Sequence, residues 1–192
     1  MTLVMELQKI NVKFFVAEPN KVPLTDFIDI FHGWIQATDG VYHDVADYSH
    51  MQDGPGIVLV AADANVSLDE TEGRRGLLYK QKAPLQGSNQ EKLRHVVRSA
   101  LENCLRIEKE PSLAGKIKFR GEETEITIND RLIAPNAEAP LLELKADAVR
   151  FLDKLYCGST VSIEPNNEPR ECLRLKVKAA KPFTIASLIE NL

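Results

Sequence analysis

Little in this sequence of 192 residues announces a function. It holds three cysteines, one tryptophan and no surplus of positive charge, with 24 Lys+Arg against 28 Asp+Glu for a formal net charge of −4. Each shortage excludes something. Three cysteines without a Cys-x-x-Cys pair supply neither a disulfide framework nor a zinc ribbon. Cys104, Cys157 and Cys172 therefore read as reduced packing thiols of a cytoplasmic protein. Without a basic excess there is no electrostatic footprint for nucleic acid. The longest unbroken apolar run, Ile57 to Ala62, falls far short of the roughly 20 residues a membrane helix needs. Met1 to Ile10 shows no charged stretch followed by an apolar one, so no export signal is expected. Nucleophile and dinucleotide motifs are missing too: there is no G-x-S-x-G and no G-x-G-x-x-G. Gly54-Pro55-Gly56 precedes an apolar run, whereas a dinucleotide turn follows one.

What is present is an ordinary globular composition, 44% hydrophobic and 27% charged, of a length that suits one domain. Ile10, Val12, Phe14 and Val16 alternate with Lys9, Asn11, Lys13 and Phe15, the period of a one-sided strand. Helical spacing follows over 26–38, where Leu24, Phe27, Ile28, Phe31, Trp34 and Ile35 make one stripe behind Thr25 as N-cap. The segment 41–56 reads as irregular. Ile57 to Ala62 reads as a strand buried on both faces, hence central. Residues 63–73 read as a long acidic loop and 76–82 as another strand. The clearest helix is 89–108, with Leu93, Val96, Val97, Ala100, Leu101, Cys104 and Leu105 on one side. Ser88 and Glu91 form a capping box at its start. The spacing predicts a hairpin over 116–129 turning at Arg120-Gly121-Glu122-Glu123, a helix over 140–156 closed by Gly158, a second hairpin (160–164 with 171–178) and a short helix at 184–191. The expected order is β-α-ββ-α-ββ-α-ββ-α. A lead-in pair (1–40) precedes three strand-strand-helix units at about 56–110, 115–157 and 159–192. That pattern predicts the α+β class, with an antiparallel-rich sheet layered with helices.

Three places could carry chemistry. The segment 32–53 holds three of the four histidines, His32, His43 and His50, among Asp39, Asp44, Asp47 and Asp53. Imidazole and carboxylate are the ligand types of zinc and non-haem iron centres. His43, Asp47 and His50 are the candidate ligands of a divalent metal, and Asp44 or Asp53 could replace Asp47. A loop imposes no geometry on such ligands, so a polar loop held by local hydrogen bonds competes with this reading. Second, Gly73-Arg74-Arg75-Gly76 could converge backbone N–H groups and two guanidiniums (Arg74, Arg75) on an anion, or be a plain loop-to-strand junction. Third, Asn129, Asp130 and Arg131 cluster where a strand ends, as a polar ligand site or as turn chemistry with Asp130 paired to Arg131.

Several stretches resemble an uncharacterised family of bacterial proteins. They are Phe31-His32-Gly33-Trp34-Ile35-Gln36, Asp44 to His50, Asp53 to Val60, Gly73 to Tyr79 and Ile128 to Asn136. The resemblance covers most of the chain. It implies a bacterial cytosolic protein and brings no activity, substrate or catalytic residue with it.

The function expected is that of a binding or interaction protein, taking a small ligand or a protein partner, with no cofactor and no evident catalytic constellation. Nucleic acid and membrane are not expected as partners, and self-association is compatible with the sequence. A metal-dependent enzyme using 32–53 is the rival, and a structural subunit of a larger assembly is the third reading. The residues 39–72, with eight acids and no Lys or Arg, are the expected functional surface, suited to a cation or a basic partner.

Overall fold

The computed structural model describes residues 5–166 and 168–192. Its strands are β1 (Ile10–Val16), β2 (Tyr42–Tyr48), β3 (Gly56–Ala61), β4 (Ala64–Asp69), β5 (Gly76–Gln81), β6 (Phe119–Ile128), β7 (Val161–Pro165) and β8 (Leu173–Ala179). Its helices are α1 (Asp26–Ala37), α2 (Asn89–Glu108), α3 (Glu138–Leu155) and α4 (Ile185–Glu190). The strands form one antiparallel sheet in the order β2-β3-β4-β5-β1-β6-β8-β7. The α+β class holds, and the element order broadly follows the one read from the sequence.

Alternation along each strand sends one set of side chains toward the helices. A single cross-strand row shows this: Val45, Leu59, Val66, Tyr79, Val12, Ile126 and Leu175 lie side by side through seven strands. All but the edge residue Val45 are buried. Helix α1 covers β2 and β3, α2 covers β1 and β5, α4 covers β6, and α3 lies over β7 and against α2. Helix α2 buries Leu93, Val96, Val97, Ala100, Leu101, Cys104 and Ile107. Its capping box is formed: the Glu91 N–H donates to the Ser88 hydroxyl at 3.3 Å, and the Ser88 N–H donates to the Glu91 carboxylate at 2.8 Å. Gly158, with φ +71°, closes α3 by donating to the Asp153 carbonyl at 2.8 Å.

Four expectations are corrected. The irregular segment 41–56 contains edge strand β2, with a register shift at His43. The acidic loop 63–73 contains β4, whose Ala64, Val66 and Leu68 face the core while Asn65, Ser67 and Asp69 face away. Strand β3 is therefore second from the edge and covered on one face, and Val58 and Val60 are only half-buried. The supposed hairpin 116–129 is one long strand. Arg120 to Glu123 bulge out of register between the pairs Val16–Phe119 and Phe14–Thr124 without reversing the chain. One smaller difference is that Thr25 stands at the N-cap of α1 without a side-chain cap bond. The three expected strand-strand-helix units consequently become four strands between α1 and α2, one before α3 and two, β7 and β8, before α4.

Candidate functional site

The helices cover one face of the sheet. The other face carries the polar alternates of the same strands, and the register assembles them into rows. One row reads Asn65, Lys80, Asn11, Thr127 and Arg174 across β4, β5, β1, β6 and β8. The next reads Ser67, Leu78, Lys13, Glu125 and Lys176 across the same strands.

The β4–β5 connection, residues 70–75, folds over part of this face. Asp69 and Lys13 pair at 2.5 Å with side chains only 2% and 6% exposed. Lys13 also donates to the Thr71 carbonyl, and Asp69 accepts from the Thr71 N–H and hydroxyl. Glu72, held at φ +61°, reaches Arg174 at 2.5 Å and Lys176 at 3.5 Å. Arg74 lies 3.8 Å from the centre of the Phe15 ring and pairs with Glu123 at 2.7 Å. These contacts leave a cavity of about 360 Å³ between the connection and the sheet, lined by Asn11, Lys80, Thr127, Arg174, Glu125 and Glu72, with Leu78 and Pro55 as its apolar wall.

The electrostatics of the cavity are uneven. The Arg174 hydrogen bond holds the Glu72 carboxyl below its ordinary range. Burial pushes Glu125 the other way, above its ordinary range, because Arg174 and Lys176 stand 3.7 and 3.9 Å away and only partly offset the lost hydration. Lys13, Arg174 and Lys176 all have carboxylate partners, whereas Lys80 has none among the described residues. Asn11 is 9% exposed, and its Oδ1 is buried without a hydrogen-bond partner among the described residues, as is Oδ1 of Asn65 just outside the cavity lining. A buried carbonyl left unpaired costs about 1–3 kcal/mol, so native proteins rarely keep one without a use.

The residues singled out from the sequence lie elsewhere or are already engaged. His43 sits near the start of β2 and His50 beyond its end, about 20 Å apart along an extended strand. Asp47 accepts from the Ser49 N–H. Among the described residues no three His, Cys, Asp or Glu side chains come together as a metal-ligand set, so the expected convergence of His43, Asp47 and His50 does not occur. His50 instead shares a surface depression with Asp53, Glu70 and Arg75. Arg74 and Arg75 diverge rather than forming an anion cradle. Arg75 pairs with Glu70 at 2.7 Å and donates to the Val22 carbonyl, and the N–H groups of Gly73 and Arg74 are spent on the carbonyls of Glu70 and Thr71. Asp130 pairs with Lys9 at 3.1 Å rather than with Arg131, which is exposed, and accepts from the Leu132 and Ile133 N–H groups. Asn129 accepts from the Cys172 thiol at 3.4 Å. Turn chemistry accounts for this cluster.

A wider groove of about 620 Å³ lies between α1 and the end of α2. Arg106, the cation among its described lining residues, is already stacked 3.9 Å from the Trp34 ring, and no unpaired buried polar atom of the described residues lines it. The open-face cavity is the stronger site. Asn11, Lys80 and Thr127 were missed because, within each strand, they look like ordinary solvent-facing alternates. Only the pairing register places them side by side. No family model, no curated protein and no solved structure matches this chain.

Proposed function

We propose that this protein binds a small polar molecule on the open face of its sheet, in the cavity between β1, β5, β6, β8 and the connection 70–75. The carrying observation is the buried, unpartnered Oδ1 of Asn11 in the wall of that cavity. Its neighbours Lys80 and Thr127 have side chains that likewise make no hydrogen bond among the described residues. A polar ligand with both donors and acceptors would satisfy what the fold leaves open, and the cavity lies at the low end of the volumes that hold small molecules. The bacterial, cytosolic setting implied by the sequence resemblance belongs to this reading.

The test is a thermal-shift screen of the whole protein against neutral, anionic and cationic polar metabolites, run in parallel on Asn11→Leu. Ligands of this site raise the melting temperature of the parent and not of the variant. A screen in which every stabilising compound acts equally on both proteins would overturn the assignment.

A further inference from the structure

The site's own chemistry restricts its ligand. We propose that the open-face cavity takes a small monocarboxylate bearing hydroxyl or ammonium donors, with the carboxylate on Lys80 and a donor on the side-chain carbonyl of Asn11. This rests on the open-face reading above and names the ligand class for it.

Three observations carry it. Lys80 pairs in register with Asn11, and both line the cavity, so a cation and an amide stand side by side there. Neighbouring strands lie about 4.8 Å apart. A molecule a few bonds long can therefore reach from Lys80 to Asn11. Next, the Asn11 Oδ1 is buried and has no partner among the described residues, and an acceptor oxygen is satisfied only by a donor. A simple anion offers none, so the ligand must carry O–H or N–H groups as well as charge.

The third observation sets the charge. Lys80 is the cavity cation without an ion-pair partner among the described residues, while Lys13 is matched by Asp69 and Arg174 by Glu72. One negative charge is therefore accommodated. The lining also carries Glu72 and Glu125, which would repel a second negative charge at close range. Phosphate dianions and dicarboxylates are disfavoured for this reason, and planar apolar ligands because the wall offers only Leu78 and Pro55 as apolar contacts.

The experiment uses D-gluconate and L-serine as probes of the class. Acetate serves as the carboxylate without such donors, and sorbitol as the polyol without a carboxylate. Each is titrated calorimetrically into the full chain at constant ionic strength. The expected result is saturable binding of gluconate or serine, at least tenfold tighter than acetate and sorbitol. That preference should vanish in Lys80→Met and in Asn11→Leu. Asn11→Leu removes an unsatisfied polar group, so it should melt no lower than the parent and report on binding alone. Sorbitol binding as tightly as gluconate, or gluconate binding unchanged in Lys80→Met, would overturn the carboxylate assignment while leaving the open-face site standing. No response to either probe overturns the ligand class, and the metabolite screen with Asn11→Leu then decides the site separately.

Discussion

At the scale of single residues, the open face mixes groups that hold the fold with groups the fold leaves free. Lys13 and Asp69 belong to the first kind. Removing one member strands the other as a buried charge, which costs about 3–5 kcal/mol. Asp69→Ala should therefore lower the melting temperature by about 10 °C, given some 2–4 °C per kcal/mol for a domain of this size. The double variant Lys13→Met/Asp69→Leu should recover much of that loss, because both charges leave together. Simple additivity in a double-mutant cycle would show that the two charges are not coupled. Glu125 is of another kind. Burial raises its folded pKa above the unfolded value, so protonation favours the folded state. Its ionised form burdens the fold at neutral pH, and the burden eases as pH falls through the raised pKa toward the ordinary carboxylate range. Glu125→Gln should gain stability relative to the parent at pH 7, and the gain should shrink by pH 4. Urea unfolding at several pH values measures it, and a gain that is flat or grows on acidification contradicts the assignment.

At the scale of elements, helices were legible and polar strands were not. Helix α2 shows its stripe, its capping box and its length in twenty consecutive residues, and all three persist in the fold. Strand β4 hides because half of its alternation is Asn65, Ser67 and Asp69, which locally resemble loop residues. Strand β2 hides for the same reason: His43, Asp44 and Asp47 are exposed and only Tyr42 and Val45 pack against the core. Where strands meet tightly, single residues still speak. Gly56 begins β3 at φ +64°, and a Cβ there would stand 1.9 Å from the Leu68 carbonyl oxygen of β4. Gly56→Ala must then push β3 and β4 apart. It should cost several times the roughly 1 kcal/mol that separates Gly and Ala in ordinary backbone, read as a shifted urea midpoint. A variant of parental stability would show that this junction yields easily.

At the scale of the molecule, eight strands share one sheet and one core, so no terminal piece is separable. Strand β8 pairs with β6 along six residues, Phe183 packs on Tyr156 at 5.1 Å between ring centres, and the Tyr156 hydroxyl donates to the Gly121 carbonyl at 3.0 Å. A chain ending at residue 158 would expose β6 as a long unpaired edge and should lose cooperative unfolding. A sharp thermal transition with native-like amide dispersion would show an independent N-terminal unit instead. Sequence by itself determined the class, the four helices, the alternating inner face of β1, the presence of strands at β5 and β8, and the exclusion of the common catalytic motifs. Those are short-range properties, set by periods of two and 3.6 residues and by caps a few positions long. Tertiary structure alone decided the strand order and the site. Asn11, Lys80 and Thr127 are 47 to 116 positions apart in the chain and become neighbours only through register. The acidic stretch 39–72 divides in the same way. Asp69 and Glu72 are neutralised by Lys13 and Arg174 from strands distant in sequence, and Glu70 by nearby Arg75. Charge that looked like a surface for a cation became the frame of a cavity, because opposite charges far apart in sequence were brought within hydrogen-bond range.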